Sequence, residues 1–447
     1  MLSFARRLRA PIPAIVEYVD NAPMSFGGGL VERYSSSAPP REDAAFPPPQ
    51  GPLVGVKVLD LGQVVAGNFC GALFGYFGAD VIKVEPPGRG DPLRSLRALD
   101  DEGTSLWWRT YGRNRRCITV DLHQSEGREI VKQLSAGVDV LLENFRPGVM
   151  EKWGLGPKDL KPDLVYTRIS GYGQTGPRAR MPGYASVCEA YGGFRHLNGY
   201  PDRPPVRPNI SMGDSLAGLH AAFGAVMALL HKQKIGPGAP GQVVDAAISE
   251  SVFNMLEGCV PEYAETGQDR PPSGSTISDV VPSGTFKTRD GRFVVIGGNG
   301  DSIYTRLMSA IGRPDMTAEN PKFANNTQRC ANEGEIMDAI SKWSASNDLE
   351  FVVEAMKEAR VPAGPILSTK DIMHEEQYIQ RGMFQKARPP SGTREITIPA
   401  ICPVLSGTPG GTRWAGPALG ENTDEILRDE LGMTKKEIQD LKEKKAI

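Results

Sequence analysis

Residues 212–215, Met-Gly-Asp-Ser, place a carboxylate where a glycine-containing turn enters a long apolar segment. The positive end of a helix dipole favours negative charge, so Asp214 would be held ionised there and could act as a nucleophile. The alternative is an N-cap, in which the carboxylate accepts hydrogen bonds from the first helix amides. Both roles suit the same position but compete for the same oxygen atoms, and the local sequence leaves both open.

Two other turns carry residues suited to binding an anion. Residues 62–68 follow a Val-rich run and lead into a small, apolar helix, so their backbone amides could receive a phosphate or an oxyanion. Residues 143–148 include Asn144, Phe145 and Arg146, which could hydrogen-bond, stack on a flat base and meet a phosphate. For each turn, a structural role in helix packing or in ending a strand is the competing interpretation.

Two further kinds of segment could contribute to a site. A basic stretch could hold phosphates or be a solvated turn. Its arginines are Arg109, Arg113, Arg115 and Arg116. Glycine-rich residues 273–276 and 297–300 could close over a site and exclude water, or could be plain hairpin connections.

The elements that must position these residues alternate between strand and helix. Val-rich runs bounded by Gly or Pro predict strands, and the periodic segments between them predict helices. The predicted strands are 56–61, 81–85, 117–122, 138–143, 164–169 and 242–247, and the predicted helices are 66–77, 125–135, 215–232 and 248–258. Strand–helix–strand units build a parallel sheet whose carboxyl edge binds ligands, so the first half is predicted to be α/β.

The second half of the chain has a different texture. After about residue 271 come Gly/Ser/Pro loops, a hairpin around residues 286–296, charged helical segments to about residue 360, and a charged terminal helix at 423–444. The chain of 447 residues is long enough for two domains.

Composition excludes several functional classes. A formal net charge of −2 gives no reason to expect nucleic acid or an anionic membrane as a partner. The 6 cysteines are scattered without CxxC spacing, which predicts reduced, mostly buried thiols rather than a catalytic thiol. The 5 histidines show no HExxH or HxH pattern, so no metal site is predicted. The sequence contains no run of 18 or more apolar residues, so no membrane span is predicted.

The first 48 residues differ from the rest. An amphipathic start with Arg6, Arg7 and Arg9, followed by a Ser-rich and then a Pro-rich stretch, is typical of a mitochondrial transit peptide. Acidic residues, which such peptides usually lack, argue for the alternative of a disordered cytoplasmic extension. They are Glu17, Asp20 and Glu32.

Long ordered stretches of residues 53–447 resemble the class III CoA-transferase family, which includes formyl-CoA:oxalate and carnitine CoA-transferases. They are GVKVLDLGQVVAGNFCGALFGYFGADVIKVEPPGRGDPLR, NRRCITVDL, ENFRPGVMEKWGL, ISGYGQTGP, MGDSLAGLHAAFGAVMALLH and LGENTDEILRDELGM. The second half and the turn at 184–186 are most similar to succinyl-CoA-dependent malate or citramalate CoA-transferases, and less so to the human relative that uses glutarate.

The resemblance implies a fold of two interlocked ring-shaped subunits. Each has a Rossmann-like large domain and a smaller α+β domain, with CoA bound between domains. For this chain we expect an extension at 1–48, the large domain at 49–260, a linker and small domain at 261–385, and a return to the large domain with the last helix at 386–447.

The resemblance also assigns site residues. The family's catalytic aspartate falls on Asp214, and the family's glycine loop falls near Gly274. The positions that contact CoA fall on Val65, Ala66, Asp121, Leu122, His123, Asn144, Phe145, Arg146 and Lys152.

Two positions depart from the family pattern. Val65 stands where some members carry a Gln that contacts the intermediate, with Gln63 two residues earlier. Ala185 stands where many carry an acidic residue, which puts the preferred acceptor in doubt more than the chemistry. Glu189 could compensate, although a capping or surface role is expected for it.

The expected reaction moves CoA from an acyl-CoA, succinyl-CoA by resemblance, to a free carboxylic acid by covalent catalysis at Asp214. It needs no metal or redox cofactor. For a dicarboxylate acceptor, the cations that could hold the second carboxylate are Arg195, Arg203, Arg207 and His196. An α-methylacyl-CoA racemase, which would need a histidine where Tyr184 stands, is one alternative. A CoA-binding paralogue without activity is the other.

Overall fold

The computed structural model describes residues 46–447. The predicted transit peptide or disordered extension at 1–48 lies almost entirely outside the described residues. The structure contains a large sheet, a small three-stranded sheet and a two-stranded ribbon.

The large sheet has six parallel strands in the order β3–β2–β1–β4–β5–β6. The strands are β1 (Lys57–Asp60), β2 (Asp80–Glu85), β3 (Arg115–Thr119), β4 (Val140–Glu143), β5 (Val165–Ser170) and β6 (Val243–Ala247). From β1 the chain first adds strands on one side of the sheet and then, from β4, on the other side. The connections that leave β1 and β4 therefore diverge, and a crevice remains at the carboxyl ends of these two strands. This is the doubly wound order of Rossmann-like proteins, and the α/β prediction is confirmed.

Helices cover both faces of this sheet and build the rest of the chain. They are α1 (Ala66–Tyr76), α2 (Leu106–Tyr111), α3 (Ser125–Ala136), α4 (Val149–Lys152), α5 (Ala185–Tyr191), α6 (Phe194–Leu197), α7 (Met212–Ile235), α8 (Ile248–Phe253), α9 (Cys259–Thr266), α10 (Asp301–Ala310), α11 (Asn326–Ala331), α12 (Glu333–Ala345), α13 (Leu349–Glu358), α14 (Thr369–Ile372), α15 (Glu376–Gln380), α16 (Thr423–Asp429) and α17 (Lys435–Glu443). Side chains of α1 and α7 form the core on one face of the sheet, and those of α3, α16 and α17 form the core on the other.

A smaller antiparallel sheet follows the large one along the chain. It consists of β7 (Ser283–Lys287), β8 (Phe293–Gly297) and β9 (Ala363–Pro365). With α10, α12 and α13 it encloses a separate hydrophobic core. The predicted hairpin is therefore present as β7 and β8. A ribbon of β10 (Phe384–Ala387) and β11 (Ile396–Pro399) comes next, and the last helices return to the large sheet, where Asn422 Oδ1 accepts from Cys117 N at 2.9 Å. The exact domain boundaries stay a prediction.

Two helix predictions need correction. The helix predicted at 248–258 ends at Phe253, after which Met255 N donates to Val252 O and Leu256 N to Phe253 O in tighter turns. Glu257, with a positive φ of 50°, excludes a right-handed helix through residue 258. The helix predicted at 423–444 is two helices, α16 and α17. Gly432, with a φ of 68°, separates them, and Thr434 starts α17 with a capping box to Glu437.

Helix α7 packs against α1 through small residues. A Cβ added to Gly218 would come within 2.7 Å of the Ala66 carbonyl oxygen, so only glycine permits this approach. The buried face consists of Gly213, Ala217, Gly218, Ala221, Ala222, Ala225, Ala228 and Leu229. By length and hydropathy α7 could also cross a membrane, which the absence of a long apolar run had argued against. Its packing against α1 and the sheet accounts for that composition.

Candidate active site

The crevice between β1 and β4 is closed at its base by a side-chain contact. Asn144, directly after β4, accepts a hydrogen bond from Gln63 N at 2.7 Å and donates one to Gln63 O at 2.8 Å. This pair of bonds joins the two turns that the sequence had singled out for anion binding. Asn144 therefore fixes the backbone of the first turn, and its role in this structure is to position that turn.

The first turn also contains a strained residue. Val64 is β-branched yet has a φ of 60°, a backbone conformation that such residues rarely adopt. Asp91 Oδ1 accepts from Val64 N at 3.1 Å, and Asn68 Nδ2 donates to Val64 O at 2.7 Å. Asn68 also donates to Asp91 Oδ2 at 2.7 Å, which links the two holding groups. These contacts hold the turn in a conformation that the chain would not otherwise prefer.

A buried charge cluster lies beneath the same turn. Lys83 is fully buried, donates to the Gly62 carbonyl, and lies 3.3 Å from Asp91 Oδ2. Arg115 is buried beside it, with Nη1 2.9 Å from Asp60 Oδ2. Removing one member of a buried ion pair leaves an uncompensated charge, which destabilises proteins by about 3–5 kcal/mol. The conformation of the turn therefore depends on the buried ion pairs beneath it.

A cavity of about 720 Å³ opens at the carboxyl ends of β1, β2, β3 and β4. Of the residues assigned to CoA by resemblance, Asp121, Leu122, His123 and Phe145 line it. The other lining residues are Leu61, Gln63, Val84, Glu85, Pro86, Pro87, Gly88, Arg89, Val120, Trp153, Lys442, Lys445 and Ile447. Phe145 and Trp153 meet edge to face at 5.1 Å and give the cavity an apolar wall suited to a flat base.

The remaining residues assigned to CoA lie outside the lining of this cavity. Val65 and Ala66 are buried at the start of α1, where Ala66 meets α7. Arg146 is exposed in the turn after β4, and Lys152 is exposed in the last turn of α4. The structure thus brings four of the nine assigned residues together in the lining of the cavity. Asn144 holds the first turn, and the other four lie outside the lining.

Asp214 lies in the first turn of α7, which begins at Met212 after Ser211. Its carboxylate makes no hydrogen bond to a helix amide within residues 46–447, so the N-cap alternative does not describe this structure. Instead Glu189 Oε1 accepts from Gly213 N at 3.0 Å and satisfies that end of the helix. The oxygens of Asp214 therefore stay available for chemistry.

The surroundings of Asp214 raise its pKa to about 7. Burial is the main cause, because removing a carboxylate from water disfavours the charged form. The charge of Glu189 raises the pKa further, and the charge of Arg207 lowers it. A carboxylate with little hydration and a pKa near neutrality is ionised in a useful fraction at physiological pH and is a better nucleophile than a solvated one.

Two arginines converge on Glu189 beside Asp214. Arg195 Nη2 lies 3.4 Å from Glu189 Oε2 and donates to Ser186 Oγ at 2.8 Å, and Arg207 Nε lies 3.6 Å from the same Glu189 oxygen. Glu189 is fully buried, so the expected surface role for it is wrong, whereas the capping role is correct. Glu189 also places a carboxylate one helical turn after Ala185.

Several other candidates lie elsewhere. His196 pairs with Asp269 at 3.0 Å, and Arg203 with Asp202 at 3.9 Å. Gly274, with a φ of 68°, lies against the Tyr200 ring. The second glycine loop packs in the small sheet, where Gly298 N donates to Pro282 O at 2.8 Å. Within residues 46–447, neither glycine loop forms a hydrogen bond with Asp214.

The basic segment before β3 is structural, so its phosphate-binding alternative is wrong. All four arginines carry little exposed surface, and each is held by the protein itself. Arg109 pairs with Asp100 at 2.7 Å, Arg115 pairs with Asp60, Arg116 pairs with Asp80 at 2.6 Å, and Arg113 donates to Pro399 O at 2.7 Å.

The cysteines provide no catalytic thiol near the site. Cys70, Cys117 and Cys188 are buried, and burial raises the pKa of each thiol; that of Cys188 is about 11. Cys259 and Cys330 are partly buried and Cys402 is exposed. Among residues 46–447, no group of three His, Cys, Asp or Glu side chains is arranged to hold a metal ion.

Comparison with known proteins identifies the class. The family model described as CoA-transferase family III matches residues 53–423. Because the match spans most of the chain, this chain belongs to CoA-transferase family III. The prediction of an enzyme that transfers CoA is thereby confirmed.

The chain is similar over most of its length to CoA-transferases that use succinyl-CoA. The succinyl-CoA–D-citramalate CoA-transferase of Chloroflexus aurantiacus is 43% identical over 92% of this chain and 100% of the relative. The human succinyl-CoA:glutarate CoA-transferase is 32% identical over 85% of this chain and 86% of the relative. Both are succinyl-CoA-dependent dicarboxylate CoA-transferases, the group to which the sequence resemblance pointed.

Solved structures agree with the fold. A CAIB/BAIF family protein from Brucella suis matches with a TM-score of 0.75 and 29% identity, over 85% of this chain and 100% of that chain. Rv3272 from M. tuberculosis matches with a TM-score of 0.74 and 27% identity, over 85% of this chain and 100% of that chain. The predicted class III CoA-transferase fold is therefore confirmed.

Proposed function

We propose that this protein transfers CoA from succinyl-CoA to a free dicarboxylic acid through a covalent intermediate on Asp214. One observation carries the proposal. Asp214 is a partly buried carboxylate at the first turn of α7 whose oxygens are not used for capping, because Glu189 accepts from Gly213 N instead. The relatives named above act on succinyl-CoA with citramalate or glutarate, and support the choice of substrates.

The reaction proceeds in two exchanges. The Asp214 carboxylate attacks the thioester carbonyl of the donor, the C–S bond breaks, and CoA leaves as a thiolate with a mixed anhydride behind it. The thiolate then attacks the aspartyl carbonyl and releases the donor acid, leaving an aspartyl-CoA thioester. The acceptor carboxylate attacks that thioester to form a second anhydride, and the thiolate attacks the acceptor's carbonyl. New acyl-CoA leaves and the Asp214 carboxylate is restored.

Each step passes through a tetrahedral oxyanion that needs hydrogen-bond donors. The amides that begin α1 are suited to this task, because the first residues of a helix have no partner for their N–H groups within the helix. The amides of Gln63 and Val64 donate to Asn144 and Asp91 instead, and these bonds fix the turn from which α1 starts. Preorganised amides stabilise developing charge without reorganisation during the reaction. The chemistry assigned to Asp214 uses a carboxylate and a thiolate alone, so we propose that no metal or redox cofactor takes part.

The arginines beside Asp214 favour a dicarboxylate. Arg195 and Arg207 both lie within 3.6 Å of the single Glu189 oxygen Oε2. Two guanidinium groups carry more positive charge than one carboxylate neutralises, so they can also receive the second carboxylate of succinyl-CoA or of the acceptor. We propose that they select dicarboxylates in this way. His196 and Arg203 are paired elsewhere.

The outer face of α7 supports the proposal of an interlocked homodimer. Large apolar side chains on this face are at least 38% exposed, which an isolated subunit would leave in water. They are Leu219, Phe223, Val226, Met227 and Leu230. A second copy of the chain would cover this stripe. The arginine-rich start of the sequence supports import into mitochondria, with a cytoplasmic location as the alternative.

The test is a transfer assay with the full chain. Purified protein is incubated with succinyl-CoA and malate, citramalate, glutarate, itaconate or oxalate, and mass spectrometry detects new acyl-CoA. We expect transfer to a dicarboxylate that is lost in Asp214→Ala and in Asp214→Asn, which preserves the shape of the side chain. Trapping with hydroxylamine should modify Asp214 only when succinyl-CoA is present. Undiminished transfer by both variants would contradict the proposed nucleophile. CoA binding without transfer would favour a paralogue without activity.

A further inference from the structure

We infer that the segment following α17 provides a phosphate-binding subsite, in which Lys445, with Lys442 and Arg89 beside it, takes a phosphate group at the nucleotide end of CoA. This inference rests on the proposed function, because it assigns the place of one part of the proposed substrate. The sequence resemblance assigned no CoA contact to any of these three residues.

The position of the cavity determines which end of CoA it receives. Its lining comes from the carboxyl ends of β1 to β4, from the last turn of α17 and from the segment after it. Asp214 lies elsewhere, where α7 meets α5 and α8: a Cβ on the preceding Gly213 would contact Glu189 and Ile248. The thioester must reach Asp214, so the opposite, nucleotide end of CoA is the part that fills the cavity. Its apolar wall of Phe145 and Trp153 suits the adenine ring.

The acidic groups of the lining are occupied within the protein. Glu85 binds Arg94 through both carboxylate oxygens and accepts from Asp91 N at 2.9 Å. Asp121 accepts from His123 N and from Gln124 Nε2, each at 3.0 Å. The charge of Arg89 contributes to lowering the pKa of Asp121, which places Arg89 close to this loop.

The cations of the lining are less fully occupied. Lys442 pairs with Asp424 at 2.7 Å. Across residues 46–447, the side chains of Arg89 and Lys445 form no ion pair or hydrogen bond. His123 adds a further ring nitrogen donor at the same edge. A cavity in which the acids are bonded internally and two cations are unpaired attracts an anion such as a phosphate.

Backbone hydrogen bonds hold Lys445 at this place. Asp121 N donates to Ala446 O at 2.8 Å, and Gln124 Nε2 donates to Lys445 O at 3.0 Å. Ala446 is fully buried, and Ile447 packs against the core on that face of the sheet. The segment is therefore fixed to the loop after β3, and the lysine is presented from an anchored backbone.

The backbone conformation of Lys445 is a second, independent observation. Ala446 N donates to Leu441 O and Lys445 N donates to Lys442 O, which together form a Schellman motif at the end of α17. The position occupied by Lys445 in that motif is left-handed, with a φ of 56°, and glycine fits it best. Lys445 therefore stands at a position that favours glycine, and the proposed phosphate subsite accounts for a lysine there.

The test exploits the left-handed backbone of Lys445, where glycine can replace the lysine without strain. Lys445→Gly removes the cation but relieves the backbone, so the melting temperature should not fall. Lys445→Arg keeps the charge, and Lys436→Ala, at the other end of α17, removes a lysine that does not line the cavity. Isothermal titration of each full-chain variant with CoA measures affinity, and a second titration with 3′-dephospho-CoA identifies the phosphate group. We expect CoA to bind Lys445→Gly about tenfold more weakly, whereas the other two variants retain the wild-type affinity.

The titrations distinguish which phosphate group Lys445 binds and whether the inference or the proposed function fails. If dephospho-CoA binds wild type and Lys445→Gly equally, the lysine takes the 3′-phosphate; if it loses the same factor as CoA, the lysine takes the diphosphate. Wild-type CoA affinity in Lys445→Gly would overturn the inference while leaving the proposed function intact. A wild-type protein that binds no CoA would instead contradict the proposed function itself.

Discussion

Glu189 accepts a hydrogen bond from Gly213 N at 3.0 Å, immediately before Asp214, and its negative charge raises the pKa of Asp214. One side chain thus caps α7, frees the oxygens of the proposed nucleophile, and makes that nucleophile harder to ionise. Arg207, 3.6 Å from Glu189, acts in the opposite direction by lowering the same pKa. The balance between these neighbours sets the pH at which Asp214 becomes reactive.

The rate of transfer should follow the ionisation of Asp214. Only the carboxylate attacks a thioester, so kcat/KM should fall about tenfold per pH unit below pH about 7. Glu189→Gln still accepts from Gly213 N but removes the negative charge, so the midpoint should move to lower pH. Initial rates of acyl-CoA formation across pH 5–9 check this. An unchanged midpoint in Glu189→Gln would show that Glu189 does not control this ionisation.

The same raised pKa predicts a cost in stability. Between the usual pKa of 3.8 and the folded value of about 7, the folded state binds a proton at Asp214 that the unfolded state has released. Stability at this site therefore falls as pH rises through that range and levels off above pH 7. Asp214→Asn avoids this cost, so it should melt a few degrees higher at pH 8 and close to wild type at pH 4. Calorimetry at the two pH values measures the difference, and an equal difference at both would contradict it.

Arg207→Gln should weaken dicarboxylate substrates specifically. A charge-assisted hydrogen bond contributes about 1.5–3 kcal/mol, so KM for succinyl-CoA and for the acceptor should rise about ten- to hundredfold. Removing the cation should also move the pH midpoint upward, because Arg207 lowers the pKa of Asp214. Steady-state kinetics with dicarboxylates and with a propionyl-CoA and acetate pair check this. Arg203→Gln, which breaks an exposed pair with Asp202 and a contact with the Tyr200 ring, is the control. Equal losses for both kinds of substrate would rule out a role in selection.

Asn144→Ala should disturb the first turn without touching Asp214. It removes both hydrogen bonds to Gln63, so Val64 loses part of the support for its left-handed backbone. We expect KM for acyl-CoA to rise about tenfold and stability to fall by about 1–2 kcal/mol. Gln133→Ala, which removes an exposed bond to Glu129, is the matched control. Unchanged kinetics in Asn144→Ala would mean that the turn holds its shape without this contact.

Phe223→Glu should disrupt the proposed dimer. Phe223 is 61% exposed on the outer face of α7, and a carboxylate buried at that position against a second copy would be strongly unfavourable. Light scattering coupled to size-exclusion chromatography should show a dimer for wild type and a monomer for the variant. Val404→Glu, at an exposed apolar residue away from α7, is the control. A wild-type monomer would contradict the proposed assembly.

Much of the fold was predictable because its signals are local. Val-rich runs ended by Gly or Pro defined the strands around Val58, Ile82 and Val140, and a parallel sheet follows from strands that alternate with helices. The interruption of the terminal helix at Gly432 was missed because a left-handed glycine can be read either as a break or as a tolerated helix residue.

The site was predicted less evenly. Asp214, Phe145 and His123 were assigned from motifs and resemblance, because each follows a strand or starts a helix; the structure places Phe145 and His123 in the lining of the cavity and Asp214 in the first turn of α7. Lys442 and Lys445 were missed, since they are distant along the chain and reach the cavity only through the hydrogen bond from Asp121 N to Ala446 O. Their signal was a lysine-rich helix end, which ordinarily indicates only a solvated surface.

The sequence by itself determined the strand–helix alternation, the turn into α7 and the carboxylate placed there, because these depend on residues near one another in the chain. Only the tertiary structure decided that Asp214 is not a cap, that Glu189 is buried beside it, and that the arginines of 109–116 are structural. Burial and the pairing of charges depend on which distant segments meet. A carboxylate's pKa and partners are therefore properties of the folded arrangement, and the same local motif could serve either as a cap or as a nucleophile.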